Sequence, residues 1–289
     1  MDSVELQDTP FFAQTTYQCG PAALATLLVR AGRDVSPAEL SARVYLPRRK
    51  GSLQVELVGA ARREGLVPYR IDPELGALVE ELHAGRPVLV LQNLGLNLFP
   101  VWHYAVAIGY QGDTGSIILR SGAKRRKLVR VDPFRASWER ASSWGLVVLT
   151  PGELPARPDR LRFLEAAAGL EAVGRYQAAL AAFRAALGRW PLDRAALLGV
   201  GNSLYGLGDL PAAERHYRRL VAHNPGDPVG LNNLAQVLSD QGRHEEAREA
   251  MARGLSSGQQ DRNLRRILED TEASIATRGS RRRRLQAPR

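Results

Sequence analysis

Residues 14–24 read QTTYQCGPAAL and hold the only cysteine of the 289-residue chain, Cys19. A thiol attacks a carbonyl when its anion is favoured, and the start of a helix favours it through unpaired N–H groups and the helix dipole. Gly20 and Pro21 suit that position. Gly20 lets a substrate approach the backbone, and Pro21 fits a first turn, where a missing N–H costs nothing. Gln14, five residues upstream, could curl back and donate its amide to an oxyanion beside the Cys19 N–H. Gln18 is the weaker donor, because a side chain adjacent to Cys19 points elsewhere. The chemistry also needs a base. Before residue 150 there are two histidines. His83 lies in the polar helix end EELHA and reads as a surface residue. His103 opens a strand after Pro100-Val101-Trp102, where a base could face the helix start. The bland alternatives are a small buried cysteine and a core histidine bonded to backbone.

The elements that must position these residues are legible in outline. GPAALATLLVRA (20–31) reads as a helix ended by Gly32, and Ser36-Pro37-Ala38-Glu39 as a capped helix start. A third helix is expected over 52–64 and a fourth over 74–84. VPYRI, VLVLQN, HYAVAIGY, SIILRS, KLVRV and GLVVLT read as strands, with Gln-Gly-Asp-Thr-Gly as a hairpin turn. Helices first and strands afterwards predict an α+β domain with an antiparallel sheet. Residues 92–102 (QNLGLNLFPVW) form an apolar loop before His103, either a substrate-lining lip or a packed β-connection.

After residue 150 the grammar changes. Gly174, Gly208 and Gly242 recur at a spacing of 34, as do Ala179, Ala213 and Ala247. Phe183, Tyr217 and Met251 keep the same step, and Pro191 is followed by Pro225, with Gln259 in the third place. This is the period and pattern of tetratricopeptide (TPR) repeats, each a helical hairpin with Gly in its turn. The expected organisation is an α+β domain at 1–152, a linker at 153–158 and three repeats at 159–259. A capping helix at 260–278 and a disordered basic tail at 279–289 complete it.

Composition narrows the partners. The net charge is +10, with clusters at Lys124–Lys127 and Arg281–Arg284. The functional reading is an anionic partner, whether nucleic acid, a membrane surface or an acidic peptide, but neither cluster has interleaved aromatics or a nucleic-acid motif, so a solvated loop and tail are expected instead. One cysteine and five scattered histidines show no chelating spacing, so no metal or cofactor is expected. No apolar run is long enough to span a membrane. MDSVELQD lacks the features of a signal peptide. The expectation is therefore a cytoplasmic protein, or one whose targeting segment preceded this numbering.

Gln14-x4-Cys19-Gly20-Pro21-Ala22-Ala23-Leu24, a Gly-Arg-Pro-Val strand start at 85–88, and His103-Tyr104-Ala105-Val106 together resemble the papain-like bacteriocin-leader peptidases. These are proteases that cut after double-glycine leaders. The resemblance covers about residues 10–150. It implies a papain-like fold, with Gln14 as oxyanion donor, Cys19 as nucleophile and His103 as base. The repeats and the lack of a transporter segment imply a stand-alone form, of the kind found in bacterial envelope lipoproteins. In that family the strand after the His strand ends in Asp or Asn followed by Pro, which orients the imidazole. Here Ser121 stands at the matching place, and Asp132-Pro133 follows eleven residues later as the alternative. Three functions remain open. One is a cysteine peptidase acting on an extended peptide, its repeats holding substrate or partner on their concave face. Another is a binding scaffold that has lost catalysis. The third is an acyl- or amide-transferring relative using the same pair.

Overall fold

The structure is a computed structural model. It describes residues 2–13, 18–257 and 262–286, with side chains up to 277. The chain divides into two compact units, Met1–Arg175 and Tyr176–Arg289.

The first unit opens with a short strand, β1 (Val4–Glu5), followed by α1 (Cys19–Arg30), α2 (Pro37–Val44) and α3 (Gln54–Arg63). Then come β2 (Val67–Arg70), α4 (Leu75–His83), β3 (Val88–Asn93), β4 (Trp102–Gln111) and β5 (Ser116–Ser121). β6 (Lys124–Arg130), α5 (Val131–Glu139), β7 (Gly145–Leu149) and α6 (Arg160–Ala172) complete it. The strands form one antiparallel sheet in the order β2-β7-β3-β4-β5-β6, with β1 paired to β4. Alternation along the strands decides which side chains meet the helices. Leu89, Leu91, Tyr104 and Val106 share one face and bury with Leu24, Leu28, Leu40 and Leu57 of α1–α3. The capping box at α2 forms as expected: Ser36 Oγ accepts from Glu39 N, and Glu39 accepts from Ser36 N.

Two features depart from the expected layout. The stretch 153–158 is strapped to the first unit rather than standing free as a linker. Ala156 N donates to the buried Glu81 carboxylate at 2.7 Å, and Arg157 pairs with both Glu74 and Glu80. Tyr69 OH donates to Arg157 O and accepts from Asp159 N. The division into units accordingly falls after Arg175, beyond α6. Second, Asp132-Pro133 begins a helix, α5, directly at the end of β6. Phe134 and Trp138 then stack one turn apart, with ring centroids at 5.7 Å.

The second unit contains α7 (Tyr176–Arg189), α8 (Arg194–Gly206), α9 (Leu210–His223), α10 (Pro228–Asp240), α11 (His244–Ser257) and α12 (Arg262–Gln286). Gly174, Gly208 and Gly242 have φ of 72°, 81° and 82°, the left-handed turns for which the 34-residue spacing selects glycine. Ala179, Ala213, Ala247, Phe183, Tyr217 and Met251 are all buried. Gln259 lies outside the described residues. α12 runs on past 278, where the sequence suggested a disordered tail, and buries Leu268 and Ile275.

Asp227 joins neighbouring repeats. Its carboxylate accepts from Val229 N and Gly230 N as the cap of α10, and from Arg194 through two nitrogens. Burial pushes this carboxyl up, but Arg194 and the capping N–H groups win and hold it below the usual range. Asp227→Ala is expected to cost about 2 kcal/mol, combining a lost cap with a broken ion pair whose arginine can rehydrate. A lower urea midpoint at unchanged slope checks this. Asp227→Asn, which keeps an acceptor for the cap, should lose less.

Candidate active site

Cys19 is the first residue of α1, and Pro21 lies in its opening turn. The helix start therefore does what the local sequence predicts, with Cys19 half-buried at its end. Gln14 lies outside the described residues. Gln18 precedes the helix and is exposed. The approach of α1 to the segment before α3 is unusually close, with the β4 residue Tyr104 in ordinary contact alongside. A Cβ added at Gly20 would lie 2.8 Å from Ser52 Cβ, 2.9 Å from Ser52 Oγ and 3.5 Å from Tyr104 Cδ2. Only a hydrogen fits there. Gly20→Ala is expected to destabilise the chain by about 1–3 kcal/mol, as an overpacked core contact does, and urea melts measure it.

Tyr104 fixes that contact. Its ring is buried edge-on against Trp144, with centroids at 6.0 Å and planes at 76°, and its OH donates to Ser52 O at 3.2 Å. Burial raises the phenol pKa, and the nearby Cys19 adds to the effect. Thus the helix end bearing Cys19 abuts the strand residue next to His103. The two sequence-predicted residues lie at one end of β4, although no hydrogen bond joins them among the described residues. Catalytic hydrogen bonds commonly tighten only once substrate is bound.

His103 sits directly across from Gln92 of β3. Its Nε2 and Ser121 Oγ are hydrogen-bonded at 2.9 Å, the imidazole tautomer deciding which of them donates. Ser121 is buried at the end of β5. Burial lowers the His103 pKa, and the positive charge of Lys127 lowers it further. The neutral imidazole is therefore the favoured form.

The topology separates the two candidates for His103's partner. Ser121 pairs with Lys124 across the β5–β6 turn, and β6 then runs back until Arg130 pairs with Ser116. Val131 N donates to Gly115 O. Asp132 thus follows at the far end of β5, about 16–20 Å from the Ser121 end by the rise of six strand residues. His83 is exposed at the end of α4, its Nε2 near Asp2 O.

Three contributors escaped the sequence reading. Ser52 Oγ is buried beside Gly20 with no hydrogen-bond partner among the described residues. Its place before α3 resembles an ordinary helix cap, so nothing local marks it. Tyr104 stood in the sequence only as a member of the HYAVAIGY strand. Arg120, buried in β5, donates to the carbonyls of Gln7, Thr9 and Arg125 and ties down the segment leading toward Gln14. Burial lowers the Arg120 pKa, and the Arg125 charge adds to it. No cluster of three or more metal-ligating side chains is found among the described residues. No described helix is long and apolar enough to cross a membrane.

The site thus comprises a helix-borne cysteine and a histidine at the end of a strand of the antiparallel sheet. Residues 6–145 match the Peptidase C39 like family. Residues 164–228 and 204–270 match two tetratricopeptide repeat families. The chain thus combines a C39-like peptidase domain with tetratricopeptide repeats. No curated protein matches the sequence. Among solved structures, a Bacillus anthracis protein named as a C39-like peptidase is 18% identical with a TM-score of 0.44, covering 52% of this chain and 98% of its own. The Sgt2 TPR domain from Aspergillus fumigatus is 19% identical with a TM-score of 0.38, covering 46% of this chain and 87% of its own.

Proposed function

We propose that the first unit is a cysteine peptidase that cleaves an extended peptide. The observation that carries the reading is the His103–Ser121 hydrogen bond at the strand end met by the Cys19 helix. With Nε2 engaged by Ser121, Nδ1 is the nitrogen that takes the thiol proton. Cys19 Sγ bonds to the scissile carbonyl carbon as its proton passes to His103. The Cys19 N–H and Gln14 hold the resulting oxyanion. The C–N bond then breaks, and the amine leaves with the proton from His103. Water, deprotonated by His103, attacks the thioester, releases the acid and restores the thiol. The repeats hold the substrate or a protein partner, the use to which such arrays are suited.

A second reading is favoured by one observation. Ser121 supplies no negative charge, and partial burial of His103 together with the charge of Lys127 disfavours the imidazolium, as in a weak or inactive scaffold. Because Cys19 is the sole cysteine, alkylation separates the two. Native chain should cleave members of a defined peptide pool, and chain alkylated beforehand should cleave none. Equal product from both samples rejects the peptidase reading, and no product from either favours the scaffold.

A further inference from the structure

We propose that the β3–β4 hairpin tip docks the protein onto an anionic lipid surface. Six large apolar side chains between β3 and His103 stand in solvent: Leu94, Leu96, Leu98, Phe99, Val101 and Trp102, with Leu98 86% and Phe99 76% exposed. So many large apolar groups on one tip mark an interaction surface. The tip is nonetheless a well-tied structure. Asn93, buried at its base, accepts from Gly95 N and Val101 N and donates to Leu96 O. Leu94 N donates to Val101 O, Phe99 N donates to Leu96 O, and Pro100 has no N–H. Arg140 clamps the base through Asn93 O.

This internal bonding favours lipid over peptide as the occupant. An extended peptide would pair with free backbone groups at its docking edge. Here much of the backbone is already engaged within the hairpin, and what faces outward is apolar side chain. The N–H groups of Leu94, Gly95, Phe99 and Val101 are already engaged within the hairpin, which lowers the cost of moving the tip into an apolar medium. Trp102, at the root of the tip, is of the type that settles at a headgroup boundary. The charge is complementary as well. The β5–β6 turn lies at the same end of the sheet and presents Lys124, with Lys127 close enough to act on His103. Arg140 adds a third cation at the tip's base. Apolar tip and basic flank together match acyl chains and anionic headgroups. The inference is independent of whether the first unit cleaves peptides.

Co-sedimentation of the full chain with vesicles tests it. Binding is expected to equimolar phosphatidylglycerol–phosphatidylethanolamine vesicles and to be much weaker with phosphatidylcholine alone. The Leu98→Ser/Phe99→Ser double variant should bind about a hundredfold less, since two large side chains no longer leave water. Both positions are solvent-exposed, so its circular dichroism should match the native chain. Lys124→Glu should weaken binding by about tenfold. Failure of the native chain to bind anionic vesicles overturns the proposal. So does vesicle binding that salt abolishes but the tip variant leaves unchanged. Loss of peptide turnover in the tip variant, without vesicle binding by the native chain, would assign the tip to substrate instead.

Discussion

Cys19→Ala should bring peptide turnover to background, and His103→Ala should lower kcat/KM by about a hundred- to ten-thousandfold. The first removes the only thiol and with it the covalent route. The second removes the group that carries the proton from thiol to leaving amine, and that range is typical of general acid–base catalysis. His83→Ala serves as the control, because His83 is exposed at the end of α4 and should leave turnover unchanged. Steady-state rates on one cleaved peptide decide the matter. If the His83 variant falls as far as the His103 variant, the assignment of the base is wrong.

Ser121→Asp should increase the reactivity of Cys19, by about tenfold or more. Burial and Lys127 now hold His103 toward its neutral form. A carboxylate at 121 would stand within hydrogen-bond reach of Nε2, where the serine hydroxyl lies at 2.9 Å. An opposite charge that close raises an imidazole pKa by about one to three units, and one unit is tenfold in the imidazolium population. The imidazolium in turn favours the thiolate. NMR titration should show the His103 pKa rising in Ser121→Asp, and Ser121→Ala should not produce that rise. An Asp132→Ala variant should leave the His103 titration unchanged, because β6 carries Asp132 to the other end of the sheet. An unchanged His103 pKa in Ser121→Asp would mean that position 121 does not act on the base.

The two domains differed in how openly the sequence displayed them. Along the repeats a spacing of 34 residues placed glycine at three left-handed turns, and three positive φ values answer the three glycines. The small and large residues kept in step are the buried ones, since each repeat must bury the same face. The Ser36–Glu39 capping box and the runs at β3, β4 and β5 were equally local signals. Other features depended on distant partners. β1 is two residues whose only strand signature is pairing with Tyr110 and Gly109. The stretch at 153–158 looked like a linker because Pro151, Gly152 and Pro155 crowd together there, yet Glu74, Glu80, Glu81 and Tyr69 hold it. Ser52 meets Gly20 only after α1 and α3 have packed. The choice between Ser121 and Asp132 was not local either. Both stand near strand ends in the sequence, and only the antiparallel return of β6 shows which one reaches His103.

The rate of Cys19 alkylation at neutral pH tests most directly whether His103 activates Cys19. Native chain should react with a small alkylating reagent at least about tenfold faster than the His103→Ala variant, with labelling confirmed at Cys19. Equal rates in the two chains, both matching an ordinary free thiol, would contradict the account.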